Sequence, residues 1–179
     1  MNDEEIIEGC KQNNPKAQKK LFDAYSRKMM GVCLRYSKNE DDAQDVLQLG
    51  FIKVFEKIEM FNYSGSLEGW IRRIMINTAL DFLRKNKYHD QNIEMDKVEY
   101  QLHYQQDMMS KFSHQELLKL IQQLPTGFRT VFNLYAIEGY SHKEIGEMLG
   151  ISENTSKSQY SRAKVHLQKM IVEDKLLER

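Results

Sequence analysis

Apolar residues recur at helical spacing through most of the chain. Ala17, Leu21, Ala24, Tyr25, Met29, Val32, Cys33 and Tyr36 fall on one broad face between Lys16 and Tyr36, which predicts a first long helix. Asn39, Asp41 and Asp42 then form a helix start, with carboxylates at the positive end of the helix dipole. The second helix is expected to run to about Ile58 on Val46, Leu47, Phe51, Val54, Phe55 and Ile58, and Phe61 to Gly65 reads as a loop. A third helix begins near Ser66 with Glu68 in its first turn. It carries Leu67, Trp70, Ile71, Ile74, Met75, Thr78, Phe82 and Leu83 and ends in Arg84, Lys85 and Lys87. Three long helices with short connections predict a bundle.

The periodicity fades after Lys87. Tyr88 to Gln106 is polar, with Asp90, Glu94, Asp96 and Glu99 against the single Lys97, so residues 88–112 read as a linker. The helical pattern resumes at Ser113-His114-Gln115-Glu116, a capping-box arrangement ahead of Leu117, Leu118, Leu120 and Ile121, and Leu124-Pro125 stops that helix. Gly127 to Glu138 is the next predicted helix, built on Phe128, Val131, Phe132, Leu134 and Tyr135 and ended by Gly139.

A second capping box, Ser141-His142-Lys143-Glu144, opens a short helix with Ile145, Met148 and Leu149. Gly150 can supply the positive φ of a tight turn. Ile151 is expected to pack into the corner, and Ser152 to cap a helix from Glu153 to about Val172. Helix, glycine turn and helix with apolar residues at the junction read as a helix-turn-helix. The expected fold is therefore all-α, with two small helical domains joined by a polar linker: a helix bundle over residues 10–87, the linker, and a helix-turn-helix domain over residues 113–172.

Composition fits this picture. The chain has 179 residues, 41% hydrophobic and 29% charged, as in a soluble globular protein, and only two prolines, Pro15 and Pro125. Lysine plus arginine and aspartate plus glutamate both total 26, so the net charge is zero and argues weakly against a nucleic-acid partner. Distribution reverses that reading. Between Asn154 and Ile171 the ionisable groups are Lys157, Arg162, Lys164, Lys169 and His166, with no acid. Thr155, Lys157, Ser158, Gln159, Ser161, Arg162 and Lys164 offer donors suited to a major groove. Arginine and lysine read guanine edges or hold phosphates, and the pattern leaves open which does which.

Other classes find less support. Met1 to Lys11 is acidic, unlike a secretory leader, and no apolar run reaches roughly the 18 residues of a membrane span. Cys10 and Cys33 are the only cysteines, which suits a reducing cytoplasm better than a disulfide framework. No Cys/His pair has zinc spacing. His89, His103, His114, His142 and His166 read as surface or local packing residues, and no metal or cofactor is expected. Asp41, Asp42 and Asp45 cluster where a helix start explains them, so no catalytic set emerges.

Several stretches are recognisable. Leu124-Pro125-Thr126-Gly127-Phe128-Arg129-Thr130-Val131-Phe132, Glu138-Gly139-Tyr140-Ser141-His142-Lys143-Glu144-Ile145-Gly146, Leu149-Gly150-Ile151-Ser152-Glu153-Asn154-Thr155 and Ser158-Gln159-Tyr160-Ser161-Arg162-Ala163-Lys164 resemble the C-terminal domain of extracytoplasmic-function (ECF) sigma factors. Asp45-Val46-Leu47-Gln48 with Phe51-Ile52-Lys53-Val54-Phe55 is similar to that family's polymerase-clamp segment. Gly69-Trp70-Ile71-Arg72-Arg73-Ile74, Asn77-Thr78-Ala79, Asp81 and Leu83-Arg84-Lys85 are similar to its −10 segment. The resemblance covers about residues 10 to 172. It implies a sigma factor, without catalysis of its own, whose partners are core RNA polymerase, promoter DNA and an anti-sigma factor.

The resemblance also implies site residues. Asp45, Gln48, Leu49, Phe51 and Ile52 would bind polymerase. Phe61, Tyr63, Trp70, Arg73, Asn77, Arg84 and Lys85 would hold the melted −10 element, and Thr155, Lys157, Ser158, Ser161, Arg162 and Lys164 the −35 duplex. Bland alternatives stand beside these roles: Trp70 as core, Phe61 and Tyr63 as packing, Arg84 and Lys85 as partners of the helix dipole. Because Leu47, Leu49, Phe51 and Ile52 cannot all face one core, Leu49 or Ile52 should be exposed. The chain departs from the family at Leu49, where an acid is usual, and at Gly146, where alanine is common. It departs again at Ser156, where a β-branched apolar residue is usual, so the core contact is expected from Ile151 and Tyr160. A helix-turn-helix regulator that is not a polymerase subunit is the alternative. It would need a receiver or ligand-binding domain upstream, and no strand run precedes residue 113.

Overall fold

The computed structural model describes residues 3–86 and 113–177, and every regular element among them is a helix. The chain divides into two compact units between Gln91 and Asn92. The expected linker, residues 88–112, and Lys87 lie outside the described residues.

The first unit holds four helices: α1 (Asp3–Lys11), α2 (Pro15–Tyr36), α3 (Glu40–Lys57), which continues as a 3₁₀ turn (Ile58–Met60), and α4 (Leu67–Asn86). Asn14 caps α2 through Oδ1, which accepts from the Lys16 and Ala17 amides, and Pro15 stands at the first helical position, where its missing N–H costs nothing. Asn39 caps α3 by accepting from the Asp42 amide at 2.8 Å, and Glu40, Asp41 and Asp42 occupy its first turn. The core is built from Leu21, Met29, Val32, Cys33 and Tyr36 of α2, Ala43, Val46, Phe51 and Val54 of α3, and Ile71, Met75, Ile76, Ala79 and Leu80 of α4. Lys28–Glu68 at 2.7 Å and Lys53–Asp81 at 3.1 Å link α2 and α3 to α4 at the surface, where solvent screening leaves such pairs little net stabilisation.

Helix α1 was not legible in the apolar pattern because it is short and acidic. It is held by Ile7 and Cys10, both buried against the bundle. Ala24, expected on the inner face of α2, is exposed, and Ile76, Ala79 and Leu80 are buried on α4 beyond the residues that the periodicity picked out. Burial pushes the Cys33 thiol up to about 12, so it is a packing residue rather than a nucleophile.

The second unit holds α5 (His114–Gln123), α6 (Thr126–Phe132), α7 (His142–Leu149) and α8 (Glu153–Leu177). Both capping boxes form: Ser113 with Glu116, and Ser141 with Glu144, each carboxylate accepting from the capping residue's amide. Leu120, Ile121, Leu124, Phe132, Ala163, Leu167 and Ile171 make one core, with Leu117, Phe128, Tyr160 and Met170 packed against it. The helix expected from Gly127 to Glu138 changes register. After Phe132 the chain winds as a π turn over Asn133–Ile137, with the Glu138 amide donating to the Asn133 carbonyl at 3.0 Å. Helix α8 also runs past Val172, to Leu177.

Candidate polymerase and promoter interfaces

Helix α7, Gly150 and α8 form the expected helix-turn-helix. Gly150 adopts φ 67°, and its amide donates to the Gly146 carbonyl. Ser152 caps α8 by accepting from the Thr155 amide at 3.0 Å. Ala163, Leu167 and Ile171 bury one side of α8. Lys157, Ser158, Ser161 and Arg162 are exposed together on the other, while Thr155 and Lys164 are half-buried. The Lys157 ammonium pairs with Glu153 at 2.6 Å, and Lys164 lies over the Tyr160 ring at 4.8 Å.

The turn corrects one expectation in part. Tyr160 packs against the core as expected and Ile151 is half-buried, but Ser156 does not leave the contact to them: its own side chain is fully buried. A serine can take that apolar place because its Oγ lies 2.9 Å from Nδ1 of His142, which satisfies both groups. His142, read from the sequence as one of five unremarkable histidines, stacks on Tyr135 with ring centroids 4.2 Å apart. Burial holds its imidazole below the usual range, and the nearby Lys157 charge adds to this.

In the first unit, Asp45, Gln48, Leu49 and Ile52 are all exposed, and their spacing of i, i+3, i+4 and i+7 makes one stripe along α3. Leu49 is 45% exposed and Ile52 53%, a large apolar presence for a surface helix. Phe51 is a correction. It is 3% exposed and packs on Phe22 at 4.7 Å, because the step of about 100° per residue that leaves Ile52 outside puts Phe51 on the buried side with Val54. Phe22 and Met60, which the periodicity did not single out, add exposed apolar surface to the same unit.

The loop before α4 divides its two aromatics. Phe61 is 5% exposed, sandwiched between Tyr63 at 5.1 Å and Trp70 at 5.5 Å, so it forms the floor of the loop rather than a surface for direct contact. Tyr63 is exposed and takes φ 59°, a left-handed conformation that few non-glycine residues adopt. Its hydroxyl donates to Glu8 at 3.3 Å, and Lys11 lies 5.2 Å from its ring, so α1 touches the loop. Trp70 is half-buried, and Arg73, Asn77, Arg84 and Lys85 are exposed along α4. Arg84 also pairs with Asp81 at 3.1 Å.

The first unit is thus a helix bundle with an exposed apolar stripe on α3, and the second a helix-turn-helix whose α8 carries a basic exposed face. The comparisons specify the class. Residues 21–88 match the family Sigma-70 region 2, and residues 114–167 match Sigma-70, region 4. The chain is 30% identical to the ECF RNA polymerase sigma factor SigW of Bacillus subtilis, over 92% of this chain and 94% of that protein. It is 27% identical to the ECF RNA polymerase sigma-E factor of Haemophilus influenzae, over 96% of each. Its fold is similar to that of the sigma factor RpoE of Bartonella quintana, solved in complex with the anti-sigma factor NepR (TM-score 0.54, 22% identity, 87% of this chain and 96% of that one). The chain belongs to the ECF group of RNA polymerase sigma factors, and it directs promoter-specific transcription initiation as a partner of core RNA polymerase.

Among the described residues no helix is long and apolar enough to cross a membrane, and no group of three or more His, Cys, Asp or Glu side chains could hold a metal ion.

Proposed function

We propose a division of labour within this sigma factor. Residues 10–87 form the region 2 domain, 88–112 the linker and 113–172 the region 4 domain. In this reading the α3 stripe of Asp45, Gln48, Leu49 and Ile52 docks on core polymerase, with Phe51 supporting it from beneath. The melted −10 strand lies against Tyr63, Trp70, Arg73, Asn77, Arg84 and Lys85, with Phe61 as the floor that shapes the loop. Lys157, Ser158, Ser161 and Arg162 read the −35 duplex, flanked by Thr155 and Lys164. The protein works in the cytoplasm, performs no catalysis of its own, and has an anti-sigma factor as a further partner.

The observation that carries this reading is the two-sided character of α8. One face is locked into the core by Ala163, Leu167 and Ile171, while donors and cations stand together on the other. That is the arrangement a helix needs to lie in a major groove with its backbone fixed by the domain behind it. Each DNA contact alone is weak. Tethering both DNA-binding surfaces to polymerase raises their effective concentration, so binding becomes strong only when both promoter elements are present at the right spacing.

Run-off transcription tests it. The full chain is mixed with core polymerase on templates randomised at the −35 and −10 positions. Transcripts should arise from a narrow set carrying a defined sequence at both. Transcription no more selective than that of core polymerase alone would overturn the assignment.

A further inference from the structure

The His142–Ser156 contact lies where three elements of the second unit meet. His142 is the first residue of α7, Ser156 sits in the first turn of α8, and Tyr135 belongs to the π turn between α6 and α7. Tyr135 lies nearly parallel to the imidazole, at 9°, and Tyr160 of α8 tilts against it at 5.8 Å. The imidazole is thus held in plane by one ring and from the side by another, with Nδ1 aimed at the Ser156 hydroxyl. The backbones are close at the same junction: the Ile151 amide donates to the Gly146 carbonyl at 3.0 Å.

The contact differs in kind from the apolar packing around it. Apolar contacts resist separation but tolerate a small roll of a helix about its axis, whereas a hydrogen bond between two oriented groups does not. Ser156 is flanked by Thr155 and Lys157, which stand at the start of the reading face. Successive residues are about 100° apart around a helix, so a roll of α8 that breaks the bond swings both across the groove. The bond is also easily replaced in stability terms. A helical serine that loses its partner can turn its hydroxyl to the carbonyl four residues back, here that of Ser152. Removing the imidazole nitrogen therefore costs little folding energy and mainly releases the orientation of α8.

We propose that His142 and Ser156 form a positioning latch that sets the rotation of α8 in the major groove and so the sequence preference at −35, without either residue touching a base. This rests on the reading of α8 as the −35 reader.

The test uses holoenzyme, the full chain with core polymerase, selecting from a library randomised at −35. His142→Phe keeps a ring for the Tyr135 stack and removes Nδ1. His142→Asn removes the stack and keeps a polar atom near the Nδ1 position. Ser156→Ala removes the hydroxyl. His142→Phe and Ser156→Ala should each lower discrimination between −35 sequences by roughly tenfold, the factor carried by one hydrogen bond of ordinary strength, and together do no more than either alone. His142→Asn should select the wild-type sequence. Melting of each variant separates loss of preference from loss of fold, and if His142→Phe does not fold, Ser156→Ala decides. Wild-type preference in the folded hydroxyl or Nδ1 deletions would overturn the latch, as would a broadening in His142→Asn equal to that in His142→Phe. A wild-type chain with no −35 preference would instead overturn the assignment of α8.

Discussion

A β-carbon on Gly146 would lie 2.7 Å from the carbonyl oxygen of Ile151, so α7 meets the turn of the helix-turn-helix backbone to backbone. Glycine to alanine inside a helix ordinarily stabilises by up to about 1 kcal/mol. Here the obstructing atom belongs to the main chain and cannot swing aside. Gly146→Ala should therefore destabilise the protein by roughly 1–3 kcal/mol, as overpacking does. Gly50→Ala is the contrast, because its new methyl would meet the flexible Met75 thioether, which can rotate away. Thermal melting checks both, and a Gly146→Ala transition at or above the wild-type temperature would show that the turn yields to the added methyl.

The α3 stripe separates binding from folding. Leu49→Asp places a charge on an exposed position, so the chain should melt normally while its affinity for core polymerase falls by at least about tenfold, the loss typical of an interface hot spot. Phe51→Asp buries a charge beside Phe22 and should abolish cooperative melting. Affinity measured with a labelled chain distinguishes them. A folded Leu49→Asp chain with undiminished affinity would remove α3 from the interface.

The loop before α4 makes a similar distinction. Phe61→Ala should act on the fold, costing roughly 3–5 kcal/mol as other buried phenylalanine truncations do. Tyr63→Ala and Asn77→Ala should leave melting nearly unchanged and reduce open-complex formation, seen as weaker permanganate reactivity at the −10 thymines. Equal reactivity in both would place the melted strand elsewhere.

On α8, base and phosphate contacts differ in what their loss does. Lys157→Ala or Arg162→Ala, at least one of them, should relax preference at one −35 position at a cost of about 1–3 kcal/mol. Lys164→Ala should weaken all sequences alike and lower the salt slope by about one unit. A −35 selection across a salt series reads both effects. Unchanged preference in the Lys157 and Arg162 variants would mean that another surface reads the duplex.

The His142 imidazole also predicts a pH effect. Burial holds its pKa below the unfolded value, with Lys157 lowering it further and Glu153 opposing. The folded state thus binds this proton less readily than the unfolded chain. The contribution is fully present above the ordinary histidine range and is lost as pH falls below about 6.5 toward the folded value. Between pH 7.5 and 5.5 the wild-type melting temperature should fall further than that of His142→Asn. Parallel curves would show that His142 does not titrate differently on folding.

Much of this architecture is local chemistry and was therefore legible in the order of residues. The capping boxes at Ser113 and Ser141, the αL turn at Gly150 and the stop at Pro125 each depend on groups within a few positions of one another. The same holds for the basic face of α8, since helical spacing alone puts Lys157, Ser158, Ser161 and Arg162 on one side. That Leu49 or Ile52 must be exposed followed from counting apolar positions around one helix.

What periodicity could not decide is which of two apolar neighbours faces inward, and what meets across the fold. Phe61 and Tyr63 are equivalent as letters. Packing on Trp70 buries the first, and a left-handed backbone turns the second outward. Ser156 looks like a polar interruption until His142, fourteen positions earlier, reaches its hydroxyl. The π turn that brings Tyr135 against that histidine keeps helical spacing closely enough to be read as continuous helix. Local rules determine helices, caps and turns because their partners are neighbours in sequence. The choice of buried side, the close contact at Gly146 and the His142–Ser156 bond depend on surfaces brought together only by tertiary packing, and one residue's pattern carries no record of the residue that will meet it.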